Sequence, residues 1–215
     1  MSIPIIIVSY NRKTCLEQLL SRLEFYDNII ILDNNSTYEP LLDYYESIDR
    51  KVVRLKQNIG HLSPWYTDII PKESHYVVTD CDVIPDPDCP DDFVDFLLDC
   101  CKSDSNLLKV GLSLRIDDLP DHYGLKQKVI DHESQFWCRE SRIVNGVQLY
   151  DSPIDTTFAV YAPNTNHGLV PSLRSGKPYV AKHLPWYNDS SNLDEEELYY
   201  RASMNPAVNN WNKDA

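Results

Sequence analysis

The sequence predicts an α/β protein, a three-layer α/β/α arrangement around a mostly parallel central sheet. Three observations carry that expectation. Short, almost wholly apolar runs recur through the first half, as in strands buried on both faces. Amphipathic stretches of helical period stand between them. Each apolar run ends in a polar cluster, the rhythm of βαβ units whose binding crevice lies at the carboxyl ends of the strands.

Ile5-Ile6-Ile7-Val8 is the first strand, running into Ser9-Tyr10-Asn11-Arg12. A helix follows, with Asn11 as its expected N-cap and Cys15, Leu16, Leu19, Leu20 and Leu23 on one face. Asn28 to Asp33 is the second strand, ending in Asn34-Asn35-Ser36, and Leu41 to Ile48 a short helix. Lys51 to Leu55 is the third strand. Asn58-Ile59-Gly60-His61 reads as a turn, and Pro64 suits the first turn of a further helix. The fourth strand, Tyr76-Val77-Val78, delivers Asp80-Cys81-Asp82.

The second half is less regular. Helices are expected at Asp91 to Cys101 and Tyr123 to Trp137. Strands are expected at Lys109 to Arg115, Gln148 to Tyr150, Asp155 to Tyr161 and Lys177 to His183. The polar tail beyond Asn205 is expected to be only partly ordered.

With 215 residues, 42% hydrophobic and 25% charged, the chain has the composition of a globular protein with one sizeable core. Its net charge of −13 argues against a nucleic-acid partner, which needs a basic surface. The six cysteines form no CxxC pair and no zinc-finger spacing, and Cys81 lies inside the acidic motif. They read as reduced thiols of a cytoplasmic protein. No stretch is long enough for a membrane span, and the opening apolar run is too short for a signal peptide.

Residues two apart in an extended segment face the same side, so Asp80 and Asp82 can address one ligand. Hard oxygen donors suit Mg²⁺ or Mn²⁺. If that ligand is a diphosphate, a carboxylate ~5 Å from one phosphate charge costs roughly 3 kcal/mol at an effective dielectric near 20. A divalent cation must then lie between them. Asp86-Pro87-Asp88 repeats the pattern but does not directly end a strand. A calcium-loop reading fails, because Ile84 and Pro85 occupy a ligand position and the required glycine position.

Val8-Ser9-Tyr10-Asn11, Asp33-Asn34-Asn35-Ser36, Asn58-Ile59-Gly60 and Asp80-Cys81-Asp82, in that order, resemble the landmarks of GT-A glycosyltransferases, especially family 2-like members. The likeness covers about the first half of the chain. More narrowly, the whole chain resembles the glycosyltransferase domains of large viral proteins that build capsid glycans, so it is expected to form part of a longer protein.

The resemblance implies a Rossmann-like GT-A domain over residues 1–215, with a nucleotide-binding half (1–105) and an acceptor and catalytic half (106–215). It implies a UDP-sugar donor, Mn²⁺ or Mg²⁺, and a glycan or glycoprotein acceptor. Ser9, Tyr10 and Asn11 would contact uridine and ribose, and Asp33 would accept a hydrogen bond from the uracil imide. Asn58, Gly60 and His61 would line the nucleotide pocket. Asp82 would bind the metal directly, and Asp80 the metal or the ribose. His183 would be a third metal ligand, with His167 as its alternative. Asp155 would be the catalytic or acceptor-binding acid, with Asp151 as its rival. Trp137, Trp186 and Tyr187 are candidate sugar platforms. Two rivals stand beside this reading. One is a haloacid-dehalogenase-like phosphatase with Asp80 as nucleophile, although such enzymes keep Thr or Val where Ile84 stands and place the motif on the first strand. The other is a carbohydrate-binding, transferase-like module without turnover.

Overall fold

Apolar runs that alternate their side chains between two faces assemble the sheet first. In the computed structural model, which describes residues 3–155 and 157–204, the elements follow one another as β1 (Ile5–Ser9), α1 (Lys13–Arg22), β2 (Ile29–Asp33), α2 (Glu39–Ser47) and β3 (Lys51–Arg54). A 3-10 turn at Ser63–Tyr66 precedes β4 (Tyr76–Asp80), β5 (Val83–Pro85), α3 (Phe93–Lys102), β6 (Lys109–Leu114) and α4 (Lys126–Trp137). The chain closes with β7 (Ser141–Val144), β8 (Val147–Asp151), β9 (Ala159–Tyr161), β10 (Ser172–His183), a 3-10 turn at Leu184–Tyr187, and α5 (Glu195–Ser203). The tail beyond Asn205 lies outside the described residues.

The strands form one sheet in the order β3-β2-β1-β4-β9-β6-β10-β8-β7, with β5 paired to the end of β10. β3, β2, β1 and β4 run parallel, as do β6 and β10, but β9 enters antiparallel between β4 and β6. β8 and β5 also run against β10. The protein is therefore α/β, as expected, but its sheet is mixed rather than mostly parallel. In the second half, β6 follows α3 and β7 follows α4, and both keep the direction of β4, whereas the β7–β8 hairpin and the loop between β9 and β10 reverse the chain. β7 and β8 are joined at Asn145-Gly146, with φ of 50° and 79°. That is the left-handed pair a tight hairpin turn requires.

Ile5, Ile7, Ile29, Ile31 and Val77 on one face pack with Leu16, Leu19, Leu41 and Phe93 from α1, α2 and α3. The opposite face, Ile6, Val8, Leu32, Tyr76 and Val78, is covered by Trp65, Ile69 and Ile70. Farther along, α4 reaches the sheet where Glu133 pairs with Arg174 of β10. The helix expected after Pro64 is only the short turn at Ser63–Tyr66. The strand expected from Asp155 contracts to Ala159–Tyr161, leaving Asp155 in the loop before it.

Asn11 is not the N-cap of α1. Its φ is 48°, and its Oδ1 accepts from the backbone N–H groups of Thr37 and Tyr38 at 2.8 and 3.0 Å. The first turn of α1 is capped instead by Glu196 of α5, which accepts from the N–H groups of Lys13 and Thr14 at 3.0 Å each.

Candidate functional site

Parallel pairing brings the polar strand ends to one edge. β1 is in register with both neighbours, Ser9 opposite Asp33 and Val8 opposite Asp80. On β9 the antiparallel register sets Ala159 opposite Val78, so residues 155 and 157 arrive at the same edge as Asp80. A cleft of about 670 Å³ opens there. Its lining includes Tyr10, Asn34 and Asn58 to His61 on the β1–β3 side of the sheet, Asp80 and Asp82 after β4, His183 of β10, and Glu133, Asp155, Thr157 and Arg174 on the β9–β10 side.

Several residues expected to grip a nucleoside build the frame of this cleft. Asp33 is fully buried and accepts from the Ser36 N–H, the Tyr45 hydroxyl and the Arg54 Nε at 3.1–3.2 Å. Ser9, also fully buried, donates its hydroxyl to the Tyr45 oxygen at 2.9 Å. Asn11 spends its remaining amide hydrogen bond on the Ser203 hydroxyl at 2.8 Å. These three lie behind the cleft wall, whereas Tyr10, Asn58, Gly60 and His61 are on it. Gly60 has the positive φ, 83°, that its turn needs. Asn34, which sequence reading passed over as a wall residue, pins that turn by donating to the Gly60 carbonyl at 3.0 Å.

Asp82 sits among three partners. Its Oδ2 lies 3.6 Å from His183 Nε2 and 3.7 Å from Arg12 Nε. Arg12 Nη2 in turn meets Glu197 Oε2 at 2.9 Å, and its guanidinium stacks 3.8 Å over the Tyr200 ring. Burial pulls the Arg12 guanidinium down, but the carboxylates of Asp82 and Glu197 more than reverse that, so it stays charged. Burial also holds the His183 imidazole below its ordinary value despite Asp82, which favours the neutral form that can ligate a metal.

The spacing of Asp82 Oδ2 and His183 Nε2 suits two ligands of one divalent cation at bond lengths of about 2.1 Å each. Among the described residues no group of three or more His, Cys, Asp and Glu side chains gathers as a metal cage. A cation held there would take its remaining ligands from water and an anionic substrate, a common arrangement for Mg²⁺.

No protein-family model matches the chain, and no curated protein matches it.

The remaining candidates separate clearly. Asp155 is exposed and on the cleft wall, while Asp151 is at the surface beside Arg139 and Glu140. His167 packs against Trp65 and Tyr66, away from the cleft. Asp86, of the second acidic pair, is buried in an ion pair with Arg115 at 3.0 Å. Trp186 is on the wall, 2% exposed, whereas Trp137 donates to the Leu114 carbonyl and Tyr187 to Asp118. Sequence reading missed Arg12, Glu133, Arg174 and the whole of α5. Only α5 carried a signal: Asp194 followed by three glutamates is an N-cap and an acidic first turn. Among the described residues, no helix is long and apolar enough to cross a membrane.

Proposed function

We propose that the protein is a GT-A glycosyltransferase that uses Mn²⁺ or Mg²⁺ and transfers a sugar from a UDP-sugar to a hydroxyl of a glycan acceptor. The observation that carries this reading is the convergence of Asp80, Asp82 and His183 with the Asn58–His61 turn in one cleft at the carboxyl edge of parallel strands. That edge is where open α/β sheets bind nucleotides. Asp82 and His183 would hold the cation, and Asp80 would face the ribose. When bound, the cation supplies positive charge against the diphosphate and against the charge that develops on departing UDP.

The chain's own residues divide the remaining tasks. Tyr10 and the turn at Asn58 to His61 flank the nucleoside. Asp155, exposed at the mouth, is the acid beside an incoming acceptor hydroxyl and takes its proton if the reaction inverts. Arg12 stands beside Asp82, its Nε 3.7 Å from Oδ2.

Calorimetric titration of UDP with and without Mn²⁺, on the wild type and Asp82→Ala, tests the reading. Binding that requires both the metal and Asp82 is expected. Binding indifferent to both removes the acidic pair from its central role. No UDP binding returns the cleft to the phosphatase reading, in which Asp80 is the nucleophile.

A further inference from the structure

The end of the cleft away from the nucleoside turn holds a charged pair to which the proposed reaction assigns no task. Glu133 of α4 and Arg174 of β10 are each 4% exposed, yet both line the cleft. Arg174 Nη1 donates to Glu133 Oε2 at 2.9 Å. The guanidinium is fixed from two further sides: its Nε donates to the Pro153 carbonyl at 2.8 Å, and its plane lies 4.1 Å over the Phe136 ring. Burial raises the Glu133 carboxyl above its ordinary value, and Arg174 offsets only part of that.

One buried polar atom at this end lacks a partner: the Thr157 hydroxyl makes no hydrogen bond among the described residues. Glu133 spends Oε2 on Arg174, and its Oε1 lies 3.8 Å from His132 Nε2. A bare buried hydroxyl is costly, and a ligand that supplies hydroxyl groups would satisfy it and meet the Glu133 carboxylate on the same wall. Pro153, Leu169 and Phe136 add apolar wall. Hydroxyls beside carbon–hydrogen faces are the chemistry of a pyranose ring.

Sheet register connects this end to the acidic pair. Val78, Ala159, Gly111 and Arg174 are successive partners across β4, β9, β6 and β10. Asp80 lies two residues beyond Val78, and Thr157 two residues before Ala159 on the antiparallel strand. A group attached to a diphosphate at Asp80 and Asp82 therefore extends toward Thr157 and Glu133. The depth of Glu133 suits a sugar enclosed with its nucleotide, whereas a glycan acceptor must enter from solvent, where Asp155 is exposed.

We propose that Glu133, positioned by Arg174, binds the hydroxyl groups of the donor sugar in a UDP-hexose and so determines which hexose is accepted. Thr157 contributes a second hydroxyl contact. The inference rests on the UDP-sugar reading of the same cleft. A site that hydrogen-bonds a substrate hydroxyl with a buried charged group rejects analogues that lack it, because the group is then stranded.

The test is calorimetric titration, with Mn²⁺ present, of UDP and of a panel of UDP-hexoses including UDP-glucose and UDP-galactose. The proteins are the wild type, Glu133→Gln, Arg174→Lys and Thr157→Val. UDP should bind all four within about twofold, while Glu133→Gln loses about tenfold or more of its affinity for the preferred UDP-hexose and much of the preference among hexoses. Arg174→Lys should lose part of the preference with UDP binding intact. Thr157→Val should weaken the hexose contribution without disturbing the ion pair, so the assignment is still tested if Glu133→Gln does not fold. Unchanged hexose affinity and preference in Glu133→Gln and Thr157→Val would make the pair a strut between α4 and β10 and overturn the proposal. A wild type that binds UDP but no UDP-hexose differently from UDP overturns this proposal alone. A wild type that binds neither overturns the UDP-sugar reading as well.

Discussion

Arg12 Nη2 and Glu197 Oε2 meet at 2.9 Å with side chains 5% and 3% exposed, and so fasten α5 to the loop that follows β1. Glu197 also accepts from Arg201 at 2.9 Å, and Arg12 reaches Asp82 on its other side. Removing one partner of a buried ion pair strands the other charge. Glu197→Ala is expected to cost about 3–5 kcal/mol in urea unfolding, and Glu197→Gln distinctly less. A loss below about 1 kcal/mol would mean that Asp82 and water satisfy Arg12 without α5.

The same helix caps α1 from a distance. Glu196 accepts the first free N–H groups of α1, at Lys13 and Thr14, and also the Thr14 hydroxyl at 3.3 Å. Glu196→Ala should cost about 1–2 kcal/mol, the ordinary worth of a helix cap. It should also speed hydrogen exchange in the first turn of α1 while leaving α3 unchanged. Equal exchange in both helices would remove this role.

Lys109 is fully buried, with the Tyr161 hydroxyl 3.3 Å and the Asp155 carbonyl 3.5 Å from its Nζ. Burial lowers its pKa from 10.5 to about 8, with Asp155 opposing part of the fall. The unfolded chain thus holds this proton up to a higher pH than the fold does. The cost of burying the ammonium is complete below pH 8, about 3 kcal/mol, and is relieved as pH rises from 8 to 10.5. Lys109→Met should be more stable than the wild type at pH 7, and the gap should narrow across that window in denaturant melts. A gap independent of pH would show that Lys109 does not titrate there.

Of the six free cysteines, Cys138 is exposed and the other five are buried. Burial raises the thiols of Cys15, Cys89 and Cys101 to about 12 and that of Cys100 to about 11. A disulfide reagent at pH 8 should modify one thiol rapidly in the native protein, with the rest released only by denaturant, and Cys138→Ser should abolish the fast phase. Rapid reaction of further thiols would indicate local opening of the core.

What the sequence disclosed follows from the range of the interactions involved. β1, β2 and β4 were readable because each is a local apolar run, and the arrival of Ser9, Asp33 and Asp80 at one edge follows from parallel pairing alone. The hairpin of β7 and β8 carried a local signal in Asn145-Gly146 that sequence reading did not use. Glu133 resembled any acid on a partly exposed helix, and only its meeting with Arg174, |i−j| of 41, distinguishes it. Asp33 had the right place but a different local duty, because Tyr45 and Arg54 claim its oxygens from later elements. The true cap of α1 lies 183 positions away from Lys13, beyond the reach of any local pattern.

The contacts of α5 have a consequence for synthesis. Tyr10 donates to the Ser203 carbonyl across 193 positions, and Lys13 to Glu196 across 183. Such pairings pay the largest loop-closure entropy and form late. On the ribosome the first strands emerge well before the helix that neutralises Arg12 and caps α1. A nascent chain lacking α5 would leave the Arg12 guanidinium without Glu197 and Tyr200, and the first turn of α1 without its Glu196 cap. The cleft therefore becomes fully formed only after nearly all of the described chain has been translated.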